Sequence, residues 1–269
     1  MRSDQFKLVT RGLHPHNERE TVSPSSPPQV HQIPRHRLPS SLRKPSLRAY
    51  FDWDDSGNHD YAKRPILLDL FSGSGGAAMG YYLAGFRVVG VDIRNQPHYP
   101  FEFHQADALT YPLEGFDVIH ASPPCQAFTA ARTLKGNYHP DLLSPIRQRL
   151  VASNSRWVIE NVPGAPMRGG IVLCGSQFGL GVRRHRWFEI DPPLACLVPS
   201  CNHSKPTICV VGHGGNSRID SGINKWSADE GRKAMGINWM SRDELSQAIP
   251  PAYTEFIGRQ LMKAIKGAL

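Results

Sequence analysis

An apolar run gives way to a glycine-rich turn at residues 66–76, Ile66-Leu67-Leu68-Asp69-Leu70-Phe71-Ser72-Gly73-Ser74-Gly75-Gly76. The apolar part is short and continuous, which predicts a buried strand over Ile66–Leu70. Residues 77–84 have helix-forming composition and stop before Gly85, the usual place for a helix-ending glycine. A strand, a glycine turn and a helix in this order predict the start of a doubly wound α/β sheet.

Further apolar runs extend this sheet along the chain. They predict strands over residues 87–91, 118–121 and 157–159, and a further strand that ends just before Asp107. Continuous apolar runs are typical of strands buried on both faces, as in parallel sheets covered by helices. The predicted fold class is therefore α/β, with a doubly wound, mostly parallel sheet.

Two acidic residues follow strands at a spacing typical of nucleoside sites. Asp92 lies 23 residues after Asp69 and ends the second strand, where a carboxylate can accept hydrogen bonds from ribose hydroxyls. Asp107 follows the third strand, where its carboxylate could accept from an adenine amino group. Together with the glycine turn, the two acids predict an adenosyl cofactor.

A cysteine stands in a stiff loop directly after the strand at 118–121. The loop is Ser122-Pro123-Pro124-Cys125-Gln126. A free cysteine is ordinarily a small buried hydrophobe. Here consecutive prolines hold it at the carboxyl edge of the sheet, where open α/β folds bind their ligands. This position favours a chemical role for Cys125.

Two more motifs carry polar groups to the same region. Glu160 follows the strand at 157–159, where it could give or take a proton, although such an acid alone is usually an exposed loop residue. Arg184 and Arg186 alternate, which predicts that both lie on one face of a strand. An arginine pair of this kind indicates either a solvated edge or a phosphate contact.

Five segments, taken in this order, resemble the DNA cytosine-5 methyltransferases, particularly the compact forms of phages and actinobacteria. They are DLFSGSGG, SPPCQ, ENVPG, RRHRWFE and AIPPAYTEFIG, and the resemblance spans about residues 65–265. It implies the class I fold of S-adenosylmethionine-dependent methyltransferases, with S-adenosyl-L-methionine as cofactor and double-stranded DNA as partner. It also implies methylation of carbon 5 of a flipped-out cytosine through a covalent Cys125 adduct.

The resemblance also implies roles for individual residues. Cys125 would be the nucleophile, Glu160 the acid at cytosine ring nitrogen 3, and Arg186 the donor to the base carbonyl, with Arg184 beside it. No metal ligand is among them. The cofactor would be held by Phe71, Gly73, Gly76, Asp92, Ile93, Asp107, Ala108 and Pro124.

The sequence predicts that the chain divides into four segments. Residues 1–62 predict a disordered Pro/Ser-rich arm, because the first fifty residues hold nine basic and three acidic residues and few apolar ones. A solvated tail is the preferred interpretation of this arm, and a DNA tether the alternative. Residues 63–189 would form the catalytic and cofactor-binding domain, and 229–269 a C-terminal segment whose final helix, 254–266, packs back on it. Only 190–228 remain for target recognition, which predicts short or relaxed sequence specificity.

The cysteines and the hydropathy pattern add further expectations. Five widely spread cysteines predict reduced thiols. Those in the recognition region follow the pattern C-x4-C-x-H-x5-C, which matches no common zinc module, so a plain loop is preferred over a zinc site. No apolar run is long enough for a membrane span or a signal peptide, which predicts a cytoplasmic protein. A monomer is expected because the predicted fold encloses its own site. The candidate zinc ligands are Cys196, Cys201, His203 and Cys209.

Three alternative functions stay open at this stage. The substrate could be RNA, because a tRNA cytosine methyltransferase shares the fold and most of these motifs. The chain could be an idle DNA-binding protein, although every chemical group is present. The transferred group could be a one-carbon unit other than methyl.

Overall fold

A computed structural model describes residues 61–129, 139–195, 197–210 and 226–267. The predicted basic arm, 1–62, lies outside these ranges except for its last two residues, which begin a 3-10 helix at Tyr61–Lys63. Short 3-10 helices also occur at Gln126–Phe128 and Gly175–Phe178.

The strands and α-helices alternate along most of the described chain. The strands are β1 (Ile66–Leu70), β2 (Arg87–Asp92), β3 (Glu102–Gln105), β4 (Val118–Ala121), β5 (Arg156–Asn161), β6 (Ile171–Leu173) and β7 (Arg186–Asp191). The α-helices are α1 (Gly76–Leu83), α2 (Leu143–Ala152), α3 (Ala228–Met235), α4 (Arg242–Gln247) and α5 (Pro251–Ile265).

The seven described strands form one sheet in the order β3-β2-β1-β4-β5-β7-β6. The first five in this order pair in parallel, whereas β7 runs antiparallel to both β5 and β6. The predicted mostly parallel sheet is thus confirmed. Residue Glu160, predicted to follow its strand, lies within β5, because antiparallel pairing with Phe188 of β7 extends the ladder.

Helices cover both faces of the sheet. Successive residues of a strand point to opposite faces, so neighbouring residues of β1 show what packs on each side. Leu67 of β1 belongs to the core cluster that α1 and α5 contribute to. Its neighbour Leu68 belongs to the other cluster, which contains apolar residues of α2. The sheet is therefore doubly wound, as predicted, and its strand ends provide a rigid edge for a site.

The final helix packs on the first one. Thr254 Oγ1 donates to the Ala77 carbonyl at 2.8 Å, and Gly80 lets the Pro251 backbone approach so closely that a Cβ would lie 2.1 Å from its carbonyl oxygen. Helix α5 therefore packs on α1, and the division of the chain into a cofactor domain and a returning C-terminal segment stays a prediction. The helix begins earlier than predicted because Pro251 suits a first helical turn, where no backbone donor is needed.

A buried ion pair joins α2 to β7 on the other face. Arg147 donates from Nε and Nη2 to the two carboxylate oxygens of Glu189, at 3.0 and 2.8 Å. Arg149 of the same helix donates to the carbonyls of Ala108 and Tyr111, at 2.6 and 2.7 Å. These bonds fix the loop after β3, which carries Asp107, against the rest of the sheet.

The predicted recognition region, 190–228, has little regular structure where it is described. Strand β7 ends at Asp191 and α3 begins at Ala228, and the stretches between them contain no helix in their described parts. Helix α3 starts with a capping box between Ser227 and Glu230. Among the described residues, no helix is both long and apolar enough to cross a membrane.

Candidate active site

The carboxyl ends of β2, β1, β4 and β5 meet at one edge of the sheet. Backbone bonds continue the ladder beyond β1 and β4, from Ser72 N to the Val91 carbonyl and from Ser122 N to the Leu70 carbonyl, each at 3.1 Å. The segments that follow these strands therefore lie side by side. Phe71 and Cys125 lie in these segments, and Asp92 and Glu160 lie near the carboxyl ends of β2 and β5 themselves.

The predicted ribose acid is fixed against the glycine turn. Asp92 Oδ2 accepts from Gly73 N at 3.0 Å, and Oδ1 accepts from Arg94 N at 2.9 Å. A carboxylate oxygen has two lone pairs, so each oxygen can still accept a hydroxyl. Phe71 has a φ of +57°, a left-handed conformation that turns the chain sharply away from the end of β1. This geometry suits a nucleoside bound at the turn.

The two predicted cofactor glycines have different surroundings. Gly73 has a φ of +49°, and a Cβ there would meet nothing within 4 Å. At Gly76, a Cβ would lie 2.4 Å from the carbonyl oxygen of Ile249. Gly73 therefore borders open space that a ligand could fill. Gly76 has a packing role against the C-terminal segment, and its predicted contact with the cofactor stays a prediction.

The other predicted cofactor residues follow the strands β2, β3 and β4. Ile93 directly follows Asp92 and is 67% exposed, which is unusual for so large an apolar side chain and leaves it available to an aromatic base. Asp107 is exposed, with its Oδ1 accepting from Leu109 N at 2.8 Å. Ala108 is buried and Pro124 is exposed. Contacts of these four residues with a cofactor remain predictions.

The loop of Cys125 is anchored from the neighbouring strand. Asn161 Nδ2 donates to the Pro123 carbonyl at 3.0 Å, and both residues are buried. Cys125 is half-buried and directly precedes the 3-10 helix Gln126–Phe128. The Asn161 bond explains why an asparagine follows Glu160: it ties the nucleophile loop to the strand that carries the acid.

Glu160 and Arg186 form an ion pair beside the cysteine. Arg186 Nε lies 3.1 Å from Glu160 Oε1, and the two side chains are 16% and 6% exposed. Burial raises the pKa of Glu160, although the charges of Arg186 and Arg184 and a hydrogen bond from Ser122 oppose this. The carboxyl group is therefore easier to protonate than an ordinary glutamate.

The same charges affect the pKa of the Cys125 thiol. Burial raises the pKa of Cys125, Arg186 and Arg184 lower it, and the Glu160 carboxylate raises it. Such mutual effects require that these four side chains lie close together. The structure thus brings together all four residues that the sequence predicts to be catalytic.

The predicted strand position of Arg184 is wrong. Strand β7 begins at Arg186, and Arg184 precedes it with a φ of +38°, a conformation outside any strand. The Arg184 guanidinium donates to the carbonyls of Val210 and Ser246 at 2.6 and 2.8 Å. The Tyr253 hydroxyl donates to the Arg184 carbonyl at 2.9 Å. These long-range bonds hold the strained turn, and strand alternation could not have predicted them.

A buried chain of hydrogen bonds behind Glu160 has no clear signal in the sequence. Tyr81 OH lies 3.0 Å from His120 Nδ1, and His120 Nε2 lies 2.8 Å from Ser122 Oγ. The Ser122 side chain in turn lowers the pKa of Glu160. Burial lowers the pKa of His120 to about 3, so the ring is neutral. A neutral ring donates from one nitrogen and accepts at the other, which orders the chain.

Comparisons with known proteins add the following similarities. No protein-family profile matches the sequence. A 92-residue stretch is 35% identical to the type II methyltransferase M.AplI of Arthrospira platensis. This stretch is 29% of the chain and 25% of that protein, so the match spans about a quarter of the relative's length.

Two solved structures are similar over most of the described chain. One is described as a DNA modification methyltransferase encoded within a prophage (E. coli), with a TM-score of 0.54 and 15% identity. The other is the S. pombe Dnmt2 methyltransferase, with a TM-score of 0.52 and 14% identity. Each covers 75% of this chain and 99% of its own.

At these identities, the structural likeness shows the fold alone. The sheet order and the two likenesses identify the class I methyltransferase fold, which confirms the predicted fold class. S-adenosyl-L-methionine is the cofactor of this fold class, in agreement with the cofactor prediction. The names of the similar proteins support a methyltransferase, and the roles of individual residues stay predictions.

Proposed function

We propose that this chain methylates carbon 5 of cytosine in double-stranded DNA, with S-adenosyl-L-methionine as methyl donor and Cys125 as nucleophile. One observation carries the proposal: a half-buried thiol, a buried carboxyl group and an arginine meet at the carboxyl edge of the sheet, with Arg186 Nε 3.1 Å from Glu160 Oε1. The similarity to the prophage protein, which is described as a DNA modification methyltransferase, supports DNA as the substrate.

The cleft at β1 and β2 has the features that an adenosyl cofactor needs. Asp92 would accept the ribose hydroxyls, Phe71 and Ile93 would flank the adenine, and Asp107 would accept from its amino group. The open space at Gly73 would take the methionine end. When bound, the cofactor supplies an electrophilic methyl group on a sulfonium.

Cytosine carbon 5 is too weak a nucleophile to take that methyl group unaided. The Cys125 thiolate would add to carbon 6, forming a carbon–sulfur bond and giving carbon 5 enamine character. Glu160 would donate a proton to ring nitrogen 3, and Arg186 would donate a hydrogen bond to the ring carbonyl. Carbon 5 would then take the methyl group, leaving S-adenosylhomocysteine. A water molecule would accept the carbon 5 proton, the carbon–sulfur bond would break to release the Cys125 thiolate, and ring nitrogen 3 would return its proton to Glu160.

The surroundings of the Cys125 thiol and of the Glu160 carboxyl group favour this addition. The thiol must lose a proton and Glu160 must hold one, so the reacting form of the pair carries a single proton in total. Burial raises the pKa of both groups, which widens the pH range in which Glu160 is protonated but makes the thiolate rarer. Arg186 and Arg184 offset that cost by stabilising the thiolate.

The position of the cysteine also requires that the base leave the duplex. Cys125 is half-buried between the edge of the sheet and its own loop. A carbon inside a stacked duplex cannot reach such a thiol, so the enzyme would flip the target nucleotide out. The short recognition region would read few base pairs, and a long recognition sequence found by methylation sequencing would contradict this.

The direct test incubates the full chain with S-adenosylmethionine and either unmethylated duplex DNA or tRNA, followed by nucleoside mass spectrometry. We expect 5-methylcytosine in DNA with the wild type and with the control Cys209→Ala, but not with Cys125→Ala. Product in tRNA alone would move the proposal to RNA. Product in DNA from Cys125→Ala would refute the assigned nucleophile, and a different modified base would refute methyl transfer to carbon 5.

A further inference from the structure

Four side chains with metal-binding atoms lie together beside the connection between β6 and β7. They are Cys174, His185, Cys201 and His203, and their ligand atoms all lie within 4.8 Å of one another. Cys174 directly follows β6 and His185 directly precedes β7, whereas the other two come from the segment after β7. The sequence pattern C-x4-C-x-H-x5-C favours a plain loop because it matches no common zinc module, and Cys174 and His185 are not part of that pattern.

Two sulfur–nitrogen distances in this cluster match the edges of a tetrahedral zinc site. Cys174 Sγ lies 3.4 Å from His203 Nε2, and Cys201 Sγ lies 3.6 Å from His185 Nε2. A tetrahedron with Zn–S bonds of about 2.3 Å and Zn–N bonds of about 2.0 Å has S···N edges of about 3.5 Å. The rings of His185 and His203 are nearly perpendicular, at 80°, with centroids 5.1 Å apart, so the two imidazoles are direct neighbours.

We propose that Cys174, His185, Cys201 and His203 bind one Zn²⁺ in a closed structural site. Two thiolates and two neutral imidazoles are a common ligand set for structural zinc, and together with Zn²⁺ they give no net charge. This set differs from the one that the sequence suggests. Cys201 and His203 are shared, Cys209 is outside the cluster, and Cys196 lies outside the described residues.

The segment that supplies Cys201 and His203 has little else to hold it. Within its described residues, 192–195 and 197–210, Val210 is the single buried one. Chain segments without an apolar core commonly depend on a metal or a disulfide for their order. A zinc ion would tie this segment to β6 and β7, which belong to the sheet.

Neighbouring polar groups fix the ligands in place. Ser176 Oγ lies 3.3 Å from Cys174 Sγ and accepts from Asn202 N at 3.2 Å. Arg183 Nη2 donates to the His203 carbonyl at 3.1 Å. Partners of this kind orient the ligands of a metal site and support its affinity.

The proposed zinc site would also affect the position of residues in the candidate active site. His185 stands between Arg184 and Arg186, the two cations that act on Cys125. An ion bound to His185 would hold the turn that gives Arg184 its φ of +38°. Zinc would thus couple the order of the recognition segment to the position of the catalytic arginines.

The test measures the zinc content of the full chain after purification without chelator and after zinc addition to the apoprotein, followed by gel filtration. We expect about one zinc per chain, held in a tetrahedral site. The variants Cys201→Ser and His203→Ala change exposed residues, and each should lower the retained zinc about tenfold or more, as loss of even an outer partner can. The matched controls Cys196→Ser and Cys209→Ser should keep it.

Cobalt substitution gives a second readout that does not depend on methyl transfer. Co²⁺ in the wild type should show the intense visible bands of tetrahedral coordination with thiolate charge transfer, and Cys201→Ser should weaken them. A chain that takes up no zinc, a Cys174–Cys201 disulfide in its place, or equal loss in Cys209→Ser would overturn the proposal. None of these results depends on whether the chain methylates DNA.

Discussion

Arg186 Nε lies 3.1 Å from Glu160 Oε1, and the charges of both side chains act on the Cys125 thiol. The arginine therefore has two effects. It stabilises the thiolate, and it favours the ionised form of a carboxyl group that burial would otherwise keep protonated. Removing Arg186 should therefore raise the pKa of both Cys125 and Glu160.

Arg186→Gln should raise the pKa of Cys125, because burial then acts against the thiolate with one cation fewer. We expect about a tenfold smaller thiolate fraction near neutral pH, the effect of one pKa unit. Alkylation of Cys125 by iodoacetamide across pH, followed by peptide mass spectrometry, measures this. Arg259→Gln, an exposed arginine on α5, is the control, and an unchanged alkylation profile in Arg186→Gln would contradict the assigned coupling.

Glu160→Gln should reduce single-turnover methylation by about a hundredfold or more, the usual contribution of a positioned acid. It should also change the shape of the pH profile. Because the reacting pair carries one proton, the wild-type rate should rise as Glu160 ionises and fall at high pH as the thiol also ionises. With glutamine, the rate should keep rising through the pKa of Cys125.

Glu255→Gln on α5 is the matched control for this profile and should leave it unchanged. Thermal unfolding of each variant separates a loss of chemistry from a loss of folding. A falling limb that persists in Glu160→Gln would show that another group holds the essential proton.

Ser122→Ala should raise the pKa of Glu160, since the Ser122 hydroxyl lowers it. The rising limb of the wild-type profile should move to higher pH. Tyr81→Phe breaks the chain of hydrogen bonds at its far end, so it should shift the rising limb of the pH profile less. It also removes the hydrogen bond to His120 Nδ1, which should cost about 1–3 kcal/mol in stability. Equal shifts in both variants would contradict the proposed order of the chain.

Asp69→Asn should change how stability depends on pH. Asp69 is buried in β1, and burial raises its pKa to about 8, although a hydrogen bond from Tyr99 opposes this. The group ionises near 4 when unfolded, so the wild type should lose about 1.4 kcal/mol of unfolding free energy per pH unit between about 4 and 8. Denaturant unfolding at several pH values should show a smaller loss in Asp69→Asn than in the exposed control Asp191→Asn.

Alanine at the two cofactor-loop glycines should separate packing from binding. Gly76→Ala places a methyl group against the Ile249 carbonyl and should cost about 1–3 kcal/mol of stability. Gly73→Ala meets no protein atom and should cost about 1 kcal/mol through its positive φ. By calorimetry, Gly73→Ala should weaken S-adenosylmethionine binding about tenfold, a change of 1.4 kcal/mol. Unchanged affinity would remove Gly73 from the cofactor site.

The sheet edge could be predicted from sequence because the relevant signals are local. Each of β1, β2, β4 and β5 is a short, mostly apolar run whose functional residue lies near its end or shortly after it, and parallel strands bring such residues to one edge. Arg184 could not be placed, because its left-handed turn depends on bonds to Ser246 and Tyr253, far along the chain. The cluster of Cys174 and His185 with the C-x-H pair likewise depends on tertiary packing.

The covalent step is the centre of this account, and DNA that contains 5-fluorocytosine tests it most directly. Fluorine at carbon 5 cannot leave as a proton does, so the bond between Cys125 and carbon 6 should persist after methyl transfer. With S-adenosylmethionine present, we predict a stable protein–DNA complex whose linked peptide contains Cys125, and none with Cys125→Ser. Formation of 5-methylcytosine in ordinary DNA without any such complex, or a complex through another residue, would contradict the account.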